Sequence, residues 1–380
     1  MEEKRRGVTL LRDATGFVLA AGLGLAACGD GGEAPSLISA PGGAGGTAPR
    51  DPTPAGGGGG GGGDPGCRER LAPLTELPAT LDATGLFSEG TTYAVEADIQ
   101  RYVPRYPLWT DGATKSRWIY LPRCETIDTS DMDLWSLPVG TRAWKEFSVD
   151  GRRMETRIVA RFGEGANDFI YGTYQWNEDE TGAILVSAEP DEGVENANGT
   201  DHDIPSRAQC RQCHDPPPTR YLGFGAMQLS DRRGPLSVWD LAEAGRLTHA
   251  PPAGIDPPGR DPDDDVTRDA LGHLHGNCGS CHGVPGVPIP ALDLRLSVAD
   301  TDPTATGAYE SMVDVASSSG ACLDLDTGEY LDRVEPGAPQ ESCLFRRMDR
   351  SEMPPIGSEV TDEQGRDAVA AWIASLPPSE

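Results

Sequence analysis

Two five-residue runs constrain this chain more than anything else in it: Cys210-Arg211-Gln212-Cys213-His214 and Cys278-Gly279-Ser280-Cys281-His282. The Cys-x-x-Cys-His spacing lets two thiols reach the two vinyl groups of one haem, while the adjacent imidazole turns under the macrocycle to ligate iron. Random placement of nine cysteines and six histidines would produce the run on the order of 0.003 times per chain. Two covalently attached haem c groups are therefore the expected cofactors. Cys210, Cys213, Cys278 and Cys281 would attach them, and His214 and His282 would be the proximal metal ligands. A structural zinc site would need four donors, with the second pair at comparable spacing. A thioredoxin-like dithiol would need a surrounding βαβ pattern, and none is visible here.

The N-terminal residues carry an address. Lys4, Arg5 and Arg6 precede an apolar stretch from Gly16 to Ala27 that is too short to span a bilayer, the order of an export signal. Leu25-Ala26-Ala27-Cys28 resembles a bacterial lipobox, so residues 1–27 read as a lipoprotein signal peptide and Cys28 as the lipidation site. An ordinary signal peptide is the alternative. Residues 28–66 are rich in Gly, Ala and Pro, with an unbroken glycine run from Gly56 to Gly63. They offer almost no apolar side chain to bury and read as a disordered tether. The expected location is the periplasm or the outer membrane of a Gram-negative bacterium, with the chain held to the membrane by its lipid.

Export also bears on the remaining thiols. Cys67, Cys124, Cys322 and Cys343 are an even number that allows three pairings; Cys67 with Cys124 and Cys322 with Cys343 would each staple one region. Free buried thiols are the alternative. With 60 acidic against 32 basic residues the net charge is −28. Such a field repels nucleic acid and favours a basic redox protein as partner.

Residues 67–205 are mostly of period two. Met154, Thr156, Ile158, Ala160 and Phe162 alternate with Glu155, Arg157 and Arg161, which predicts a half-buried strand. Trp144 to Val149 precedes it across Asp150-Gly151, the signal of a two-residue hairpin. Further strands are expected at Trp118 to Leu121, Phe169 to Trp176 and Ala183 to Val186. We read this region as an antiparallel β-sandwich-like module. Its aromatic residues, Trp109, Trp118, Tyr120, Trp144, Tyr171, Tyr174 and Trp176, read first as core and secondly as the lining of a carbohydrate groove. Residues 206–260 hold the first motif on a short helix, followed by a connector.

From 261 to 380 the period becomes helical. Val266, Ala270, Leu271 and Leu274 follow the acidic start Asp263-Asp264-Asp265 and predict a helix running into the second motif. A last helix is expected from a capping box at Thr361 to Gln364, with Val369, Trp372, Ile373 and Leu376 in one stripe and Pro377-Pro378 ending it. Met353, followed by Pro354-Pro355, is the expected sixth ligand of the second iron, since a stiff loop can press a soft thioether onto it. Met348 is its local rival. For the first iron the possible sixth ligands are Met227, His202, His249, His273 and His275, or the position is open.

Trp176-Asn177-Glu178-Asp179, Ile204-Pro205, Asn277, Val334-Glu335-Pro336-Gly337 and Met353-Pro354-Pro355-Ile356-Gly357, with both Cys-x-x-Cys-His runs, resemble a family of bacterial exported dihaem c-type cytochromes. The resemblance spans residues 67–380, while the acidic, proline-rich stretch from His249 to Asp265 has no counterpart. It implies an α+β multidomain chain: a β-rich module, then a mainly α domain like class I cytochrome c. It also implies single-electron relay, with Met353 ligating from just before the last helix. A peroxidase-like dihaem enzyme with an open first iron is one alternative. A glycan- or protein-binding module with a redox-sensing haem domain is another.

Overall fold

The computed structural model describes residues 67 and 69–378, apart from 187–192, 201, 216–217, 284–291, 326 and 356–358. The proposed signal peptide, Cys28 and the tether lie outside the described residues. Strands β1 (Gln100–Arg101), β2 (Thr114–Tyr120), β3 (Arg142–Val149), β4 (Arg152–Arg161), β5 (Phe169–Trp176) and β6 (Ala183–Leu185) form one sheet. Every neighbouring pair is antiparallel and the strand order is sequential. Among the described residues six α-helices complete an α+β fold: α1 (Arg207–His214), α2 (Val238–Glu243), α3 (Asp265–Asn277), α4 (Gly307–Met312), α5 (Cys343–Asp349) and α6 (Glu363–Ser375).

The β-rich region is thus a single meander and not a two-sheet sandwich. A sandwich needs a connection that carries the chain to a second sheet. Here the β3–β4 link is only Asp150-Gly151, with φ of 51° and 80°, as a two-residue turn with both φ positive requires. Each new strand is therefore laid on the edge of the same sheet.

Both faces of that sheet are covered, so β4 is not half-buried as its alternation suggests. On one face Tyr120, Trp144, Ile158, Tyr174 and Trp176 pack against Leu81, Leu86 and Phe87 of the preceding segment. The four aromatics among them are each no more than 1% exposed and are core, as their first reading had it. On the other face Ile119, Val159 and Tyr171 join a cluster that continues through Phe224, Leu271 and Trp372. Burying each such side chain contributes roughly 1.5–3 kcal/mol. Glu155 lies on this second face with no exposure at all. It remains charged there because Arg157 binds it through both oxygens and His202 reaches Oε1 at 2.8 Å.

Local sequence explains where the helices that carry the motifs begin. Ser206 and Gln209 form a reciprocal capping box at the start of α1. Asp264 caps α3 by accepting the Thr267 amide. The cap of α6 is Asp362, not Thr361: its carboxylate accepts the Gly365 amide, and the Thr361 hydroxyl is paired with that of Ser351. Helices α3 and α6 pack against each other. Their approach needs glycine, because a Cβ on Gly365 would stand 2.0 Å from the His273 ring. Disulfides join Cys67 to Cys124 and Cys322 to Cys343. In a chain-entropy picture, closing the first loop, 57 residues in separation, stabilises by about 4 kcal/mol. Among the described residues no helix is long and apolar enough to cross a membrane.

Candidate functional site

The first motif occupies the whole of α1 after Gln209. His214, in its last turn, donates from Nδ1 to the Arg220 carbonyl at 2.7 Å. That hydrogen bond fixes the tautomer and leaves the Nε2 lone pair available, which is how protein-held imidazoles present themselves to metals. Burial also pushes the imidazole down to about 4, so it is neutral at physiological pH. Its ring lies 5.4 Å from that of Tyr171. The Tyr171 hydroxyl reaches Asp215, which Arg220 also binds. Cys210, Cys213 and His214 face a cleft enclosing about 2660 Å³, partly open to solvent. Trp109, Lys145, Arg157 and Tyr221 form its other walls.

The second motif begins as α3 ends. Cys278 closes the helix on the Leu274 carbonyl, and the His282 amide bonds back to the Cys278 carbonyl at 2.9 Å, turning the histidine under its cysteines. Neither ring nitrogen of His282 has a hydrogen-bond partner among the described residues, and Nδ1 is buried. Cys278, Cys281, His282 and Met353 line one cleft of about 1120 Å³ with apolar walls that include Leu294, Met312 and Leu344. Met348 lines it too, from α5, where it is 8% exposed.

The two sites touch. Trp109, Ser351 and Pro355 line both clefts. Trp109 is fixed between them: its amide donates to Asn277 Oδ1 at 2.7 Å, and its indole donates to the Val360 carbonyl at 2.9 Å. The Cys213 and Cys281 thiols lie close enough to perturb each other, Cys213 being raised and Cys281 lowered to about 6 by their interaction. Sequence spacing gave no hint that thiols 68 positions apart would meet.

The other histidines and methionines are engaged elsewhere. His275 Nδ1 accepts from the Leu296 amide at 3.0 Å, which places the proton of the neutral ring on Nε2 and leaves no lone pair for iron. His202 is committed to Glu155. His249 pairs with Thr248 and Thr129, His273 lines the second cleft, and Met227 lines a separate cavity. None of the five lines the first cleft, where His214 is the only histidine and no methionine is present among the described residues.

The residues present fit haem. Each motif offers two thiols on one turn and a neutral imidazole with a ring nitrogen to spare, beside a cleft. They fit a four-donor zinc site poorly, since no three His, Cys, Asp or Glu side chains converge among the described residues. Compared with known proteins, the chain matches no family model, no curated protein and no solved structure.

Proposed function

We propose that the chain is a dihaem c-type cytochrome of the bacterial cell envelope that relays single electrons. The carrying observation is that the two motifs adjoin: their clefts share Trp109, Ser351 and Pro355, and the Cys213 and Cys281 thiols perturb each other. Groups attached at the two motifs would therefore be held near each other, and electron exchange between redox centres needs such proximity. Bound at the two motifs, haem supplies the reversible one-electron couple. Cys210, Cys213, Cys278 and Cys281 would hold the porphyrins, His214 would offer Nε2 and His282 a ring nitrogen. Met353, in the same cleft as the second motif, would supply a thioether sulfur, a ligand type that favours ferrous iron. The run of α3 into its motif and its packing on α6 support a class I cytochrome c-like arrangement for residues 261–380. The charge of −28 favours a basic redox protein as partner, and Cys28 would carry the lipid anchor. A pyridine haemochrome spectrum with intact mass, after export alongside a haem-attachment system, tests the reading. Two haem masses are expected; an unmodified mass ends it.

One observation favours a second reading. No Met, and no His besides His214, lines the first cleft among the described residues, so the first iron would keep an open position, as in a peroxidase-like enzyme. High-spin ferric iron at one of the two centres would mark it, and two fully low-spin centres would not.

A further inference from the structure

Of the 32 basic residues only three are lysine, Lys4, Lys115 and Lys145, and the last two stand on one face of the sheet. The pairings Arg117 with Lys145 and Lys145 with Arg157 set three cations in line across β2, β3 and β4. The same row ends at Thr173 of β5, the strand against which α1 packs. Like charges directly opposite one another destabilise a sheet, and burial raises that cost.

Only part of this charge is compensated. Arg157 is paired with Glu155. Arg117 is 4% exposed, and neither it nor Lys145 has a carboxylate partner among the described residues. A chain with 60 acidic residues does not leave such a gap for want of carboxylates. Lys145 stands where the first-motif cleft meets a second cavity, of about 860 Å³ and partly open, whose walls include Arg117, Arg295 and Asp133. The Asp133 carboxylate there already accepts from the Ser297 hydroxyl and the Val298 amide, at 2.6 and 2.8 Å. Burial, then the charges of Arg117 and Arg157, drive the Lys145 amine well below its usual range, as an uncompensated cation behaves.

We propose that this junction is an oxyanion site, at which Arg117 and Lys145 hold a carboxylate-like group beside the first motif. Two sources share that chemistry. One is a carboxylate arm of the haem on Cys210 and Cys213, which rests on the dihaem reading; the other is a free oxyanion entering the cleft from solvent.

The test uses the full exported chain, its R117Q and K145Q variants, and inorganic phosphate as probe. Arg157 is left in place, since its loss would orphan buried Glu155. Calorimetric titration at low salt and resonance Raman spectra of the haem carboxylate bands are recorded, with melting curves to check folding. A free oxyanion predicts one-to-one phosphate binding that weakens about tenfold or more in each variant. A haem carboxylate predicts no phosphate binding and carboxylate bands that shift in both variants while the chain keeps its two haem masses. No binding together with unmoved bands overturns the proposal. Should the chain carry no haem, the dihaem reading fails separately. Phosphate binding that K145Q abolishes would then still establish the site, and absent binding would end it.

Discussion

The two Cys-x-x-Cys-His sites share a motif and little else. The second follows a thirteen-residue helix and opens on an apolar cleft whose walls include three methionines, Met312, Met348 and Met353. The first forms the last five residues of an eight-residue helix and faces a larger cleft walled by cations. Five residues suffice to attach a porphyrin, but what the iron then does depends on side chains contributed by distant strands and loops. On the dihaem reading proposed above, the second surroundings would suit a saturated, high-potential centre and the first one that meets anions or small ligands.

Removing each centre in turn breaks the comparison most directly. C278A/C281A should carry one haem mass and bind exogenous imidazole or carbon monoxide through its remaining iron. C210A/C213A should also carry one haem and resist both ligands; equal ligand binding by the two variants would erase the distinction. Next in size, M353A should lower the potential of the second centre by on the order of 0.1 V, read by potentiometric titration. M348A serves as the control, because both sulfurs line that cleft and a shift in M348A alone would transfer the ligand role.

The first site depends on the buried ionic group behind it. E155L should destabilise the fold by about 3 kcal/mol or more, because it leaves Arg157 and His202 without their shared carboxylate; a denaturation midpoint unchanged from wild type would show the group to be dispensable. A smaller effect is a dependence on pH. Burial, with a contribution from Arg295, lowers His275 to about 4, so the unfolded chain takes up this proton first. Stability is complete above about pH 6.5 and falls by up to about 3 kcal/mol as the pH drops towards 4. In H275Q that slope should flatten in denaturant titrations across the same window. The smallest is D362A, which removes the cap of α6 beside the second site and should cost about 1 kcal/mol, lowering the melting temperature without changing haem content.

What could be read in advance was what depends on neighbours in sequence. Asp150-Gly151 makes its turn, the apolar stripe Val369, Trp372, Ile373 and Leu376 is buried, and the run from Asp265 does deliver the second motif. What escaped depends on partners far along the chain. Alternation in β4 predicts one wet face, but that face is covered by the segments carrying the first motif, so Glu155 is buried and must be paired. The meeting of Cys213 with Cys281 has no local signal. The cation row did have one that a sequence can show: in a chain that otherwise uses arginine, the only lysines beyond residue 4 lie at even spacing on two adjoining strands.

Scarcity of lysine has a practical side. Reagents that seek primary amines find, among the side chains of residues 67–380, only Lys115 and Lys145, and both are half-buried on the inner wall of the sheet. The mass such a reagent adds there is therefore a gauge of how open that single wall is, readable without colour, crystal or assay.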